Sequence, residues 1–251
     1  MYAGDREVMA VAFLANLCVS RGALTGGGRH ACARVCDRAQ LTLNPLRASW
    51  MCSAASAGSE QDGFTLKSEA VRYERYKTIY ERVVTYPDGA EYSFDVEGSP
   101  RANFSSVLVF PFNSAAKTTV LIREYHPGLH ALRYGFVAGF FDAKVHADEE
   151  AAARAELSEE AHLTGGTMQL LNSGAPVPRD KYSLDYFHMF LALDAHLDLR
   201  PRERDEEERI DIVRDVPVTE AIDMVFRGEF NLSSATLCLM AAERLRKDSL
   251  L

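Results

Sequence analysis

Two hydrophobic periodicities alternate along this chain, one of period two and one of period near 3.6, and their order predicts strands interleaved with helices. Tyr76 to Tyr86 alternates, breaks at Pro87-Asp88-Gly89 and returns through Glu91 to Val96, the pattern of a β-hairpin. Ser105 to Phe112 and Lys117 to Tyr125, the latter with a Thr-Thr-Val-Leu-Ile core, read as a second hairpin turning at Asn113 to Ala116. Tyr134 to Ala138 follows as a third strand, Asp185 to Leu193 as a buried one, and Ile210 to Val216 as another. Helical spacing is expected over Ala152 to Leu163, over Val218 to Arg227 after Pro217, and over Ser233 to Lys247 with Ser233 or Ser234 as the cap. Length and order suit one α/β domain with a small β-sheet ahead of it.

The stretch from Ala152 to Leu163 carries the chemistry. At about 100° per residue, Glu156, Glu159 and Glu160 share one side of a helix, close enough for their oxygens to converge. Like charges at this spacing destabilise a helix by roughly 0.2–0.5 kcal/mol, so a purely structural helix gains nothing from them. A solvated face would account for a charge run, but Ala152, Ala153 and Leu163 fall on the carboxylate side. A divalent cation reverses the sign of the repulsion, and hard oxygen ligands suit Mg²⁺ or Mn²⁺.

Residues 139 to 163, GFFDAKVHADEEAAARAELSEEAHL, resemble the box of the Nudix hydrolases, G-x5-E-x7-R-E-U-x-E-E-x-G-U with U aliphatic. Gly139 opens it, and the resemblance places Glu156, Glu159 and Glu160 on the three metal-binding glutamates. Four departures stand out. Ala155 replaces the arginine, His162 replaces the second glycine, the spacing from Gly139 to Ala155 is two residues longer, and Lys144, Val145 and His146 leave the loop position without a glutamate. Alanine removes a charged donor that braces a catalytic glutamate, and Arg154 is turned about 100° away from that position. Histidine is a poorer left-handed helix end than glycine, so Gly165 and Gly166 are expected to supply a later exit.

Phe136-Val137-Ala138-Gly139 is similar to the Leu-Pro-Ala-Gly stretch of the ADP-ribose and ADP-sugar pyrophosphatases, which implies the Ala138 carbonyl as a further metal ligand. Gly135 stands where that subgroup usually has a glutamate, and His126 where an arginine often contacts substrate. Pro178, sixteen residues past His162, resembles the subgroup's proline marker. The run Asp205 to Glu208 lies where the resemblance implies a general base, with Glu206 the first match and Glu207 the second. The resemblance spans about residues 68 to 247. It implies a Nudix fold, a mixed sheet sandwiched between helices, with a small N-terminal antiparallel sheet used for homodimer contacts. It implies Mg²⁺- or Mn²⁺-dependent hydrolysis of the pyrophosphate in nucleoside diphosphate sugars, ADP-ribose or ADP-glucose, to AMP and a sugar phosphate. Ala155 and His162 favour an alternative, an attenuated Nudix-like module that binds a nucleotide or a protein. A third reading is a different hydrolytic specificity, such as diadenosine polyphosphates, coenzyme A or a prenyl diphosphate.

Composition divides the chain into 1–60 as leader, 61–100 as the small β region and 101–251 as the hydrolase domain. The leader holds six arginines, no lysine and four acidic residues, with Cys18, Cys32, Cys36 and Cys52, and leaves Cys238 as the one cysteine after it. That argues against a disulfide framework or zinc site in the domain. An acid-poor, Arg- and Ser-containing leader fits an organelle transit peptide, the plastid favoured over the mitochondrion on the stretch Ser53 to Ser59; otherwise a cytoplasmic location is expected. Asp5 and Glu7 conflict with that reading and would be lost if translation began at Met9. No run is long enough to span a membrane. The residues after the leader carry net charge −10, which disfavours nucleic acid as a partner, whereas a diphosphate is compatible when a cation supplies local positive charge.

Overall fold

The structure, a computed structural model, describes residues 58–172, 175–204 and 209–251. The transit-peptide reading, and Glu206 and Glu207 as candidate bases, lie outside the described residues.

The first sheet is antiparallel in the order β1 (Glu60–Gln61), β2 (Phe64–Glu74), β3 (Thr78–Thr85), β4 (Glu91–Gly98). Its β3–β4 hairpin runs in register from Thr85↔Glu91 to Thr78↔Gly98. The turn forms where expected because Gly89 takes a positive φ and the Asp88 carboxylate accepts the Ala90 N–H. β2 escaped the sequence reading because its register shifts twice, between Leu66 and Ser68 and between Val71 and Tyr73, and each bulge resets the period-two pattern.

The second sheet holds β5 (Ser105–Asn113), β6 (Thr118–His126), β7 (Ala131–Gly135), β8 (Val137–Phe140), β10 (Thr167–Leu170), β11 (Val177–Pro178), β12 (Tyr186–Leu193) and β14 (Asp211–Pro217). β9 (Leu163–Thr164) and β13 (His196–Leu197) form a separate pair. β12 runs parallel to β5 while the other pairings are antiparallel. The β5–β6 hairpin pairs only next to its turn, at Phe112↔Thr119 and Asn113↔Thr118. Beyond that β6 leaves to pair with β7 and β14, and β8 takes the opened edge of β5 from Ser106 to Val109. The single strand expected over Tyr134 to Ala138 is therefore two. The break falls at Phe136, whose ring is buried between Phe110 and Phe230, as the chain passes from pairing with β6 to pairing with β5.

Three α-helices and a short 3-10 turn, Pro100–Ala102, complete the described residues: α1 (Glu149–Ala161), α2 (Val218–Phe226) and α3 (Leu232–Lys247), giving a mixed α/β fold with antiparallel and mixed sheets. α1 starts three residues before the expected range because the Asp148 side chain caps it by accepting the Ala151 N–H at 2.8 Å. α3 is capped by Asn231, which accepts the Ser234 N–H at 2.8 Å, rather than by Ser233 or Ser234. Val107 and Val109 of β5 join a core cluster with Ala152, Ala153, Leu157 and Ala161 of α1. Leu108, Phe110 and Phe112 join another with Val218, Ala221, Leu237 and Ala241 of α2 and α3. Neighbouring residues of a strand face opposite ways, so α1 lies on one side of β5 and α2 and α3 on the other.

Asp185 ties the two sheets together. It is 3% exposed and accepts the Ser99 N–H at 2.7 Å, the Ser99 hydroxyl at 3.0 Å and the Lys77 ammonium at 2.5 Å. A bridge between Glu97 and Ser183 adds main-chain pairing at the same seam.

Candidate active site

The apolar stripe of α1 determines where its carboxylates go. With Ala152, Ala153, Leu157 and Ala161 buried against β5 and β8, Glu156 and Glu160 project onto β8 from one turn apart. Glu160 is 3% exposed, and its Oε2 accepts the Ala138 N–H at 2.9 Å. Glu156 lies against the next residue, where a Cβ on Gly139 would overlap its carboxyl group. Glu159 diverges, half-buried with Oε1 3.6 Å from the Arg202 guanidinium. Two of the three predicted glutamates thus meet at adjacent positions of one strand. Among the described residues, no group of three or more His, Cys, Asp or Glu is arranged to hold a metal ion.

A carboxylate that the sequence reading passed over lies on the same side of α1. Glu149 is buried, with Oε1 3.8 Å from His188 Nε2 on β12. It precedes Glu156 by seven residues, about 20° away on the helix wheel, and that spacing was the available signal.

Ala155 is 4% exposed, so the position where the box has an arginine faces the packed side of the helix. Arg154 points elsewhere, as its place on the wheel predicts, donating to Glu150 at 2.8 and 3.0 Å and to the Gly165 carbonyl at 3.2 Å. Arginines from later in the chain reach the helix end instead. Arg204 donates from Nε to the Glu159 carbonyl at 2.9 Å and from Nη2 to the Glu160 carbonyl at 3.0 Å, and Arg214 donates to the Ala161 carbonyl at 3.0 Å. No local pattern announces these contacts, because they join segments more than forty residues apart.

The expectation that Gly165 and Gly166 would provide a later helix exit is corrected. α1 ends at His162, which takes the left-handed conformation itself, φ 51° and ψ 44°, and its N–H bonds back to the Leu157 and Ser158 carbonyls. Burial, then the charges of Arg204 and Arg214, push its imidazole below the ordinary pKa.

The two predicted substrate contacts, His126 and Pro178, line a single open cleft of about 1060 Å³. Lys77, Phe140, Arg179 and Asp185 share its walls, and the first residues of α3 form one rim. β8 separates this cleft from α1, because Phe140 lines the cleft while its neighbour Gly139 meets Glu156. Lys77 and Arg179 are both partnered, since Asp185 accepts from each and Arg179 also lies 3.2 Å from Glu97. Burial pushes the Asp185 carboxyl up, but the Lys77 and Ser99 donors outweigh it and hold its pKa below the usual carboxylate value.

A solved structure described as that of an ADP compounds hydrolase matches this chain with a TM-score of 0.65 at 20% sequence identity, covering 77% of this chain and 100% of that one. A likeness at this identity shows the fold, and it supports the Nudix-like architecture that residues 139 to 163 imply. No family model matches the chain. No curated protein matches it either.

Proposed function

We propose that this chain is a Nudix-type, metal-dependent hydrolase that cleaves the pyrophosphate bond of nucleoside diphosphate sugars, ADP-ribose or ADP-glucose, releasing AMP and a sugar phosphate. The observation that carries the reading is the meeting of Glu156 and Glu160 at Ala138 and Gly139, two carboxylates brought to adjacent positions of one strand. The description of the structurally similar protein as an ADP compounds hydrolase points to the same substrate class.

The residues fit a divalent cation in chemistry. Their donors are hard oxygens, and only the absence of a side chain at Gly139 makes room for Glu156. Glu156, Glu160 and the Ala138 carbonyl would hold Mg²⁺ or Mn²⁺, which would supply positive charge against the diphosphate oxygens. Glu159 would join after leaving Arg202, a long ion pair with a half-exposed arginine that stabilises by no more than about 1 kcal/mol. Glu206, or Glu207 in its place, would accept the proton of the attacking water. His126 and Pro178, in the cleft on the other side of β8, are the proposed substrate contacts. The same reading includes a homodimer through the first sheet, whose β2 leaves Val71 and Tyr73 exposed, and an organellar location conferred by the leader.

Incubating the full chain with ADP-ribose and with ADP-glucose, with and without Mg²⁺ or Mn²⁺, and following AMP tests the proposal. Metal-dependent AMP supports it and ranks the sugars. Glu160→Gln, which can still accept the Ala138 N–H, is expected to remain folded and lose turnover; a fully active variant would remove Glu160 from the site.

The binding-module reading has its own support, since Glu159 is engaged by Arg202 and Ala155 provides no donor. Nucleotide binding without AMP release from any of these substrates would favour it.

A further inference from the structure

We propose that Arg204 is the positioning residue of the carboxylate-bearing turn, a role that rests on the hydrolase reading above. A helix leaves its last carbonyls without intrahelical donors, and at the end of α1 each is satisfied from outside. The Glu159 carbonyl accepts Arg204 Nε at 2.9 Å, the Glu160 carbonyl accepts Arg204 Nη2 at 3.0 Å, the Ala161 carbonyl accepts Arg214 Nη2 at 3.0 Å, and the His162 carbonyl accepts the Asp198 N–H at 2.9 Å. Arg204 Nη1 also reaches the Ile210 carbonyl at 3.1 Å, so one planar guanidinium bonds the turn to the segment that enters β14.

The location gives this contact its consequence. Arg204 holds the main chain of two consecutive glutamates whose side chains diverge, Glu160 toward Ala138 and Glu159 toward Arg202. Holding the two peptide units sets the direction in which each carboxylate leaves the helix, next to a left-handed His162 that would otherwise favour fraying. The alternatives on α1 are occupied or absent, since Arg154 is bonded to Glu150 and Ala155 has no donor. Arg214 provides an internal control. It donates to the neighbouring carbonyl of Ala161, a residue without a carboxylate, and brings the same charge to the same helix end.

The test uses full-length Arg204→Gln, Arg204→Lys and Arg214→Gln, with three readouts: Mn²⁺ affinity without substrate from the electron paramagnetic resonance of free Mn²⁺, kcat and KM for ADP-ribose, and the thermal midpoint. Arg204→Gln is expected to lose about tenfold or more in Mn²⁺ affinity, the scale of a lost supporting contact, with a matching fall in kcat and KM nearly unchanged. Arg204→Lys should recover part of both. Arg214→Gln should lower the thermal midpoint by a similar amount and keep the Mn²⁺ affinity. Wild-type affinity in Arg204→Gln, or equal losses in both glutamine variants, would overturn the role. A wild-type chain that binds Mn²⁺ without hydrolysing substrate removes the hydrolase reading while the affinity comparison still decides on Arg204. A wild-type chain that binds no Mn²⁺ overturns both.

Discussion

The carboxyl group of Glu156 occupies the space where residue 139 would carry a Cβ, so the carboxylate can hold this position only while residue 139 is glycine. The overlapping atoms belong to the end of a flexible side chain, so an added methyl group would displace the carboxylate rather than the fold. Gly139→Ala is therefore expected to change stability by about 1 kcal/mol or less, while lowering Mn²⁺ affinity and metal-dependent turnover by at least about tenfold. Thermal unfolding beside Mn²⁺ titration checks it. Unchanged affinity would show that Glu156 does not act from this position.

Asp185 predicts an acid-sensitive seam between the two sheets. Its folded pKa lies below the unfolded one, so its stabilisation is present above the unfolded value and is lost as pH falls through the folded one. Removing it leaves the partly buried Lys77 without its partner, and Asp185→Ala should lose about 3 kcal/mol at neutral pH. The deficit relative to wild type should shrink in acid below the ordinary carboxylate range. Urea unfolding at neutral pH and near pH 3 measures both; a deficit independent of pH would contradict the assignment.

His162 titrates in a higher window. Its pKa is depressed in the folded chain, so as pH falls through about 6.5 the unfolded chain takes up the proton first and stability declines. The left-handed backbone adds a penalty for a non-glycine residue of roughly 1 kcal/mol. His162→Gly should raise the thermal midpoint by a few degrees and flatten the decline between pH 7.5 and 5.5. His162 Nε2 lies 3.3 Å from Arg204 Nη2, and a lower midpoint at both pH values would mean that this contact outweighs the strain.

Cys238 is fully buried in the core beside α2, and burial pushes its thiol pKa up to about 12. Alkylation mapped by mass spectrometry at pH 8 is expected to leave Cys238 unmodified in the folded chain and label it after unfolding. Labelling under native conditions would place that side of the core in exchange with an open state.

Much of the framework was legible because its signals are local. The β3–β4 turn, the buried run of β5 and the helices α1 to α3 depend on side chains within a few residues of each other. Misreadings arose where a distant partner intervened. Tyr134 to Ala138 split because β7 and β8 pair with different strands, β7 with β6 and β8 with β5.

The order of apolar and polar residues determined that α1 would bury its alanines and leucine and leave carboxylates on a neighbouring side, because helix geometry converts spacing directly into direction. Only the tertiary structure decided which carboxylates meet. Glu160 found the Ala138 N–H, Glu156 the space over Gly139, Glu159 the side of Arg202, and Arg204 the carbonyls that end the helix. Each of those partners lies on a segment that pairing and packing bring to α1 from seventeen to more than forty residues away, and a hydrogen bond depends on distance in space, to which sequence separation sets no bound.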